Sequence, residues 1–313
     1  MQNVIKAIND AENIVILAHI SEDPDAVGSS FAMAEVLERM GKKVTYYTSE
    51  PVKDNLDYIA HDYVVYNDDM DVQCDLCICL DSGDLGRLGD RIKIFENAKN
   101  TVNIDHHYTN TNYAKINYVD GDAAATAQIL YGLFKEMGGL TEYTAKCLYT
   151  AIATDTGCFK YSNVSPATMR VVADLLEYNI NHADITKILF DTEELKNMQL
   201  RAEVMQNIKS YYGGKLCLVA VTKDMFEKYD VAENAIGDFV DIPRRIKDCD
   251  VAVSLKKRDD KVKISLRSNG RVNVAEKAVE IGGGGHKMAA GAALNTTIDE
   301  AEKIVVDLFK DVI

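Results

Sequence analysis

Asp105-His106-His107 places three side chains able to hold a divalent cation at consecutive positions. They follow Thr101-Val102-Asn103-Ile104, a β-branched run that reads as a buried strand. All three therefore leave the C-terminal end of a strand together, the edge at which open α/β sheets bind ligands. The same residues would also suit a solvated polar turn. The case for metal chemistry depends on partners elsewhere in the chain.

Such partners stand at the ends of other apolar segments. Asn13 to His19 reads as a buried strand closed by a histidine, and Asp23 and Asp25 follow in the turn before a helix expected over Ala26 to Met40. Either carboxylate alone could simply cap that helix. Capping explains less well why a histidine and two carboxylates share one strand end, a donor set that suits hard divalent cations. Leu76 to Leu80 runs into Asp81, which should lie close to the sheet and be poorly solvated. A dry carboxylate needs a cationic partner, and Arg87 is as good a candidate as a metal on these residues alone. A helix over Thr141 to Thr154 ends at Asp155, a further carboxylate at the edge of an apolar segment.

The elements that must position these groups alternate strand and helix through the first half. Val44 to Tyr47 and Tyr63 to Tyr66 read as further strands, and Asp122 to Met137 and Ser165 to Tyr178 as further helices. That pattern calls for a mostly parallel sheet covered by helices, an α/β fold. His61 is expected to be exposed among polar neighbours. A long helix over Glu193 to Tyr212, stopped by Gly213-Gly214, reads as a linker. The expected division is a domain over 1–190, a linker helix over 191–214 and a smaller mixed α/β domain over 215–313.

The chain has 313 residues, 47% hydrophobic and 27% charged, with a formal charge of −14 from 35 basic and 49 acidic side chains. So acidic a protein is poorly suited to coating long duplex nucleic acid, although it can act on small phosphorylated molecules through local basic groups. Seven cysteines in mostly apolar runs read as reduced, buried thiols of a cytoplasmic protein. Cys77 and Cys79 share one strand face and suit core packing better than zinc. No segment approaches membrane-spanning length, so no membrane partner is expected.

Four segments together resemble the DHH phosphoesterase family, and the resemblance covers nearly the whole chain. His19-x-x-x-Asp23-x-Asp25-Ala-x-Gly28-Ser29 looks like its first motif and Asp81 with Arg87-Leu88-Gly89 its second. Asp105-His106-His107 looks like the third, and Asp155-Thr-Gly with Tyr161-Ser-Asn163 the fourth. The resemblance implies two divalent ions, manganese first among them. One would be held by His19, Asp23 and Asp81, and the other by Asp25, Asp81, His106 and Asp155, with Asp81 shared. Asp105 would orient a neighbour, and His107 would sit by the substrate phosphate, binding it or relaying a proton. Glu22 stands where the family usually has proline, and Lys160 where it usually has arginine.

In the second half, Val251 to Lys256 and Lys261 to Arg267 read as a hairpin around Asp259-Asp260. Val262, Ile264 and Leu266 should face the core, leaving Lys261, Lys263, Ser265 and Arg267 on the other side. Gly282 to Gly285 before His286 would let backbone amides approach an anion, or would form a flexible tip. This stretch resembles the Gly-Gly-Gly-His signature of the domain that accompanies DHH domains. The resemblance implies that Arg267, Gly283, Gly284, Gly285 and His286 hold the far end of the substrate. A compact chain of this kind is similar to the nano-RNase branch, which degrades very short RNAs and dephosphorylates adenosine 3′,5′-bisphosphate. The expected partners are short RNA or a phosphorylated nucleotide, and a homodimer is implied by resemblance alone. A cyclic- or linear-dinucleotide phosphodiesterase, an inorganic pyrophosphatase and a nucleotide sensor without catalysis are the competing readings.

Overall fold

A computed structural model describes residues 1–233, 238–258 and 260–313. The chain forms two compact units, Met1–Thr192 and Glu193–Ile313. The first runs α1 (Gln2–Asp10), β1 (Asn13–Leu17), α2 (Pro24–Arg39), β2 (Lys43–Thr48), β3 (Val64–Val65), β4 (Leu76–Leu80), α3 (Ile92–Asn97), β5 (Asn100–Asp105), β6 (Ile116–Val119), α4 (Thr126–Met137), α5 (Glu142–Asp155), α6 (Pro166–Leu176) and α7 (His182–Phe190). Its sheet has the order β3-β2-β1-β4-β5-β6 with every pair parallel.

That topology requires apolar side chains on both strand faces. Ile14 and Ile16 of β1 pack into the core beneath α2, α4 and α5, whereas Val15 and Leu17 join Cys77, Cys79, Leu88 and Phe95 on the opposite side. The Cys77 and Cys79 sulfurs lie 4.0 Å apart in that core. Chain order reverses between β1 and β4, and a doubly wound sheet opens a crevice at such a reversal. His19 follows β1 and Asp81 follows β4, so the reversal brings the two together.

Two helices carry the remaining first-half candidates. α2 begins at Pro24 behind Asp23, whose Oδ1 accepts from the amides of Asp25 and Ala26 at 3.0 Å each. The capping role weighed for Asp23 is therefore real. α5 is started by a capping box at Thr141 and Thr144 and delivers Asp155 in its last turn. The two helices approach closely at Gly28, where an added Cβ would lie 2.7 Å from the Cys147 carbonyl oxygen.

The second unit contains α8 (Leu195–Gln206), β7 (Lys209–Tyr211), β8 (Leu216–Val221), α9 (Lys223–Tyr229), α10 (Asp241–Arg244), β9 (Val251–Arg258), β10 (Lys261–Ser268), α11 (Val274–Glu280), β11 (Gly284–His286), β12 (Ala289–Leu294) and α12 (Ile298–Phe309). Its mixed sheet has the order β11-β12-β10-β9-β8-β7. Val262, Ile264 and Leu266 lie in its core with Val305 and Phe309 of α12. The helix expected over Glu193 to Tyr212 is shorter than that. It ends at Gln206, and β7 then pairs antiparallel with β8. Gly213 and Gly214, at φ 65° and 97°, turn that hairpin and do not stop a helix. Leu200 and Val204 of α8 pack with Val219 and Val221 of β8 inside the unit. Asp259, at the expected β9-β10 turn, lies outside the described residues. Among the described residues no helix is long and apolar enough to cross a membrane.

Candidate metal centre

His19, Asp23 and Asp81 each offer a donor atom within 4.8 Å of the others, and so do Asp25, His106 and Asp155. Asp81 joins the two groups. Its Oδ2 lies 3.5 Å from His19 Nε2, and its Oδ1 lies 3.5 Å from His106 Nε2. His19 Nε2 also faces Asp23 Oδ2 at 3.6 Å, and His106 Nε2 faces Asp155 Oδ2 at 3.3 Å and Asp25 Oδ2 at 4.0 Å. Asp81 is 2% exposed, dry as its place after five apolar residues requires. The ion pair weighed for it is not formed: among the described residues its charged partners are His19, His106 and His107, and Arg87 is exposed.

Both imidazoles are oriented from behind. His19 Nδ1 lies 2.8 Å from the Ile20 carbonyl, and His106 Nδ1 lies 3.3 Å from the Ala123 carbonyl. A carbonyl accepts only, so each Nδ1 carries the proton and each Nε2 turns toward the shared carboxylates. Metal-binding histidines are held in this way. His107 is fixed differently, with Nδ1 donating to Asp105 Oδ1 at 2.7 Å and Nε2 without a partner among the described residues. Asp105 is buried, and its other oxygen accepts from the Asn110 amide at 2.5 Å.

Several residues that hold the cluster carried no sequence signal. The Thr126 amide donates to Asp25 Oδ2 at 2.7 Å, and its hydroxyl donates to Asp81 Oδ1 at 2.9 Å. The Ala127 amide adds a bond to Asp25 Oδ1 at 3.2 Å. The α4 N-terminus has no side-chain cap of its own, so Asp25 caps it from a distant segment. Glu22 also gains an explanation. It is buried, accepts from Arg91 Nη1 at 2.6 Å, and takes the Ser49 amide and hydroxyl at 2.9 and 2.7 Å. Arg91 is 1% exposed and donates as well to the carbonyls of Ala18, Tyr47 and Leu88. This ion pair fastens both sides of the loop carrying His19 and Asp23. Lys160 is exposed, with its ammonium 5.9 Å from the Phe190 ring. His61 is half-buried against Phe31 and Tyr143, with Glu38 at 3.2 Å, because the β2-β3 connection folds it back onto α2.

Crowding four carboxylates around two imidazoles shifts their titration. Burial, then the charges of Asp81, Asp155 and Asp23, raise Asp25 well above the usual carboxylate range. Burial, then Asp81 and Asp23, push Asp155 up to about 7. Burial alone would lower His19, but Asp23, Asp81 and the Ile20 carbonyl outweigh it and raise the imidazole to about 10. The donor set is rich in anionic oxygen, and no lysine or arginine pairs with Asp25, Asp81 or Asp155 among the described residues. A divalent cation fits that chemistry.

Stability without metal should therefore fall as pH rises. The contribution of Asp155 is complete below the unfolded value of about 4 and is lost as pH passes about 7. That of His19 is complete below about 6.5 and lost as pH passes about 10. In a chelator, the melting midpoint is expected to drop between about pH 5 and about pH 9, and Asp155→Asn should flatten the slope. Added manganese should raise the midpoint more at the alkaline end, because the ion competes with protons for the same groups. A midpoint in chelator that rises with pH would contradict this electrostatic account.

The second-half candidates lie on one row of the second sheet. Arg267 of β10 pairs with Ala289 of β12, and Ala289 pairs with His286 of β11. Residues in register share a face, so Arg267 and His286 project from the same side, two strand spacings or about 10 Å apart. Arg267 is half-buried, and its Nη1 donates to the Leu266 carbonyl at 3.1 Å. It has no carboxylate partner among the described residues, whereas Arg271 is paired with Asp250 at 3.2 Å. The glycine run has a steric cause that its composition did not reveal. It enters an edge strand so close to β12 that a Cβ on Gly283 would lie 2.1 Å from the Gly291 carbonyl oxygen.

Comparison with known proteins assigns the family. The profile of the DHH family, N-terminal domain, matches residues 13–152, and that of the DHHA1 domain matches residues 213–313. A protein of Thermus thermophilus named bifunctional oligoribonuclease and PAP phosphatase NrnA is 32% identical over 98% of this chain and 92% of its own. The chain belongs to the DHH family. A bifunctional oligoribonuclease and PAP phosphatase NrnA of Bacillus subtilis is 26% identical over 97% of this chain and 96% of its own. The crystal structure of an exopolyphosphatase-related protein from Bacteroides fragilis superposes with a TM-score of 0.91 at 28% identity, covering 99% of this chain and 95% of that one. The exonuclease RecJ bound to manganese shares the fold at a TM-score of 0.54 and 13% identity, covering 98% of this chain and 92% of that one.

Proposed function

We propose that this DHH protein is a divalent-metal-dependent phosphoesterase that releases mononucleotides from very short oligoribonucleotides and dephosphorylates adenosine 3′,5′-bisphosphate. The observation that carries the reading is Asp81, a buried carboxylate whose two oxygens face two different oriented histidines. His19, Asp23 and Asp81 would hold one ion, and Asp25, Asp81, His106 and Asp155 the other, with manganese the first choice. Bound there, the ions supply Lewis-acid polarisation of the phosphate and an activated water at neutral pH. The Asp105 carboxylate holds His107 by its Nδ1 and raises its pKa while burial works against it, so Nε2 is the atom left to meet a phosphate oxygen. Asn110 and the buried site of Asp105 keep that pair aligned. The NrnA names of relatives matched over nearly their full length support the substrate class.

The test is hydrolysis by the full chain, with manganese added, of diribonucleotides, longer RNA, adenosine 3′,5′-bisphosphate, cyclic dinucleotides and pyrophosphate. Highest kcat/KM on diribonucleotide or the bisphosphate is expected. Preference for pyrophosphate or a cyclic dinucleotide, or no turnover of any substrate, would replace this reading with a competing one.

Arg267 and His286 are proposed to hold the nucleotide's far phosphate. Arg267→Ala should raise KM for a 5′-phosphorylated diribonucleotide about 10- to 100-fold, as expected for losing a charge-assisted hydrogen bond of about 1.5–3 kcal/mol, while KM for an aryl phosphate ester changes little. Equal effects on the two substrates would remove Arg267 from the recognition site.

A further inference from the structure

Tyr108 is 81% exposed, more than any other large apolar or aromatic side chain among the described residues that stand out in solvent. It directly follows His107. Its main chain is nevertheless held firmly. The Asn110 amide donates to the His107 carbonyl at 3.0 Å, and the Asn110 side chain donates to Asn103 Oδ1 and Asp105 Oδ2 at 2.8 and 2.5 Å. The backbone also lies so close to Gly121 that an added Cβ there would come within 3.2 Å of both Tyr108 Cα and Cβ. A clamped backbone thus presents an aromatic ring to water. No other ring or cation packs on that ring among the described residues.

We infer that Tyr108 is the platform on which the base of the nucleotide joined to the scissile phosphate stacks. The inference rests on the proposed function and specifies where that substrate's base is read. A base lies one ribose away from its phosphate, and Tyr108 is the residue next in the chain to the histidine proposed to meet that phosphate. Stacking is tolerant of sequence because every base has a π-face, which suits an enzyme that clears mixed short RNAs. The two faces of the ring are the surface that a base would cover.

The chain contains no tryptophan, so Tyr108→Trp creates a single fluorescent reporter at this position. With manganese present, AMP is expected to quench its emission saturably, whereas ribose 5-phosphate, which has the same phosphate and no base, is expected to leave it unchanged. In parallel, Tyr108→Ala should raise KM for a diribonucleotide roughly 5- to 150-fold with kcat nearly constant, and Tyr108→Phe should restore the parental KM. Quenching that does not depend on the base, or an Ala variant with parental KM, overturns the assignment. Failure of the parent chain to hydrolyse the dinucleotide would count against the proposed function alone, because the fluorescence measurement decides the base contact without turnover.

Discussion

Asp81→Asn is expected to lower kcat/KM for a diribonucleotide by at least about 10³-fold, the scale of losing a charge that both ions would share at the reacting phosphate. Asparagine is the informative replacement for two reasons. Asp81 sits at φ 54°, in the left-handed region that asparagine tolerates and alanine resists. Its Oδ1 accepts from the Thr126 hydroxyl, and an amide oxygen can still do so. The variant should therefore fold and lose charge alone. Manganese titration by calorimetry should show weakened binding at both sites together, since one oxygen faces His19 and the other faces His106. Near-parental turnover with intact manganese binding would sink the metal-centre assignment. Loss at one site only would show that Asp81 does not bridge.

Glu22→Ala is expected to cost about 3–5 kcal/mol of stability, because it leaves the guanidinium of Arg91 buried without its counter-charge. The measurement is a urea unfolding midpoint with the metal chelated. Arg91 also donates to the carbonyl of Ala18, next to His19, so the loop that presents His19 and Asp23 should loosen. Manganese affinity should then fall about 10- to 100-fold, as expected for a lost supporting contact. Converting the pair to Glu22→Ala with Arg91→Met should cost less than Glu22→Ala alone, since no stranded charge remains. A double variant less stable than that single variant would mean that packing, and not charge compensation, is what the pair provides.

The donor cluster was legible in the sequence because a parallel sheet writes its strands as unbroken apolar runs. A polar residue that ends such a run stands out, and His19, Asp81 and Asp105 all do. Asp155 ends a helix in the same abrupt manner. The supports of the cluster were not legible, because they join side chains to backbone over long separations. Thr126 reaches Asp25 across 101 positions, and nothing near either residue announces the other. The buried Glu22-Arg91 pair spans 69 positions and hides in segments that look polar. One glycine pair in the second unit was misread locally. Gly213-Gly214 suits a helix stop and a hairpin turn equally well until the pairing of β7 with β8 is known. The run before His286 allowed an anion loop or a flexible tip, and the approach of Gly283 to β12 adds a steric reason for glycine that its composition did not show.

Every donor of the cluster lies between residues 19 and 155, in a unit with its own core, and Arg267 and His286 lie in another unit with a separate core. Selection can therefore act on the two independently. With the roles proposed above, a substitution that retunes which molecule is held would fall on one hydrophobic nucleus and leave the packing around the proposed metal ligands on the other untouched. On that reading, a duplicated copy of the gene would change its substrate without having to rebuild the donor cluster.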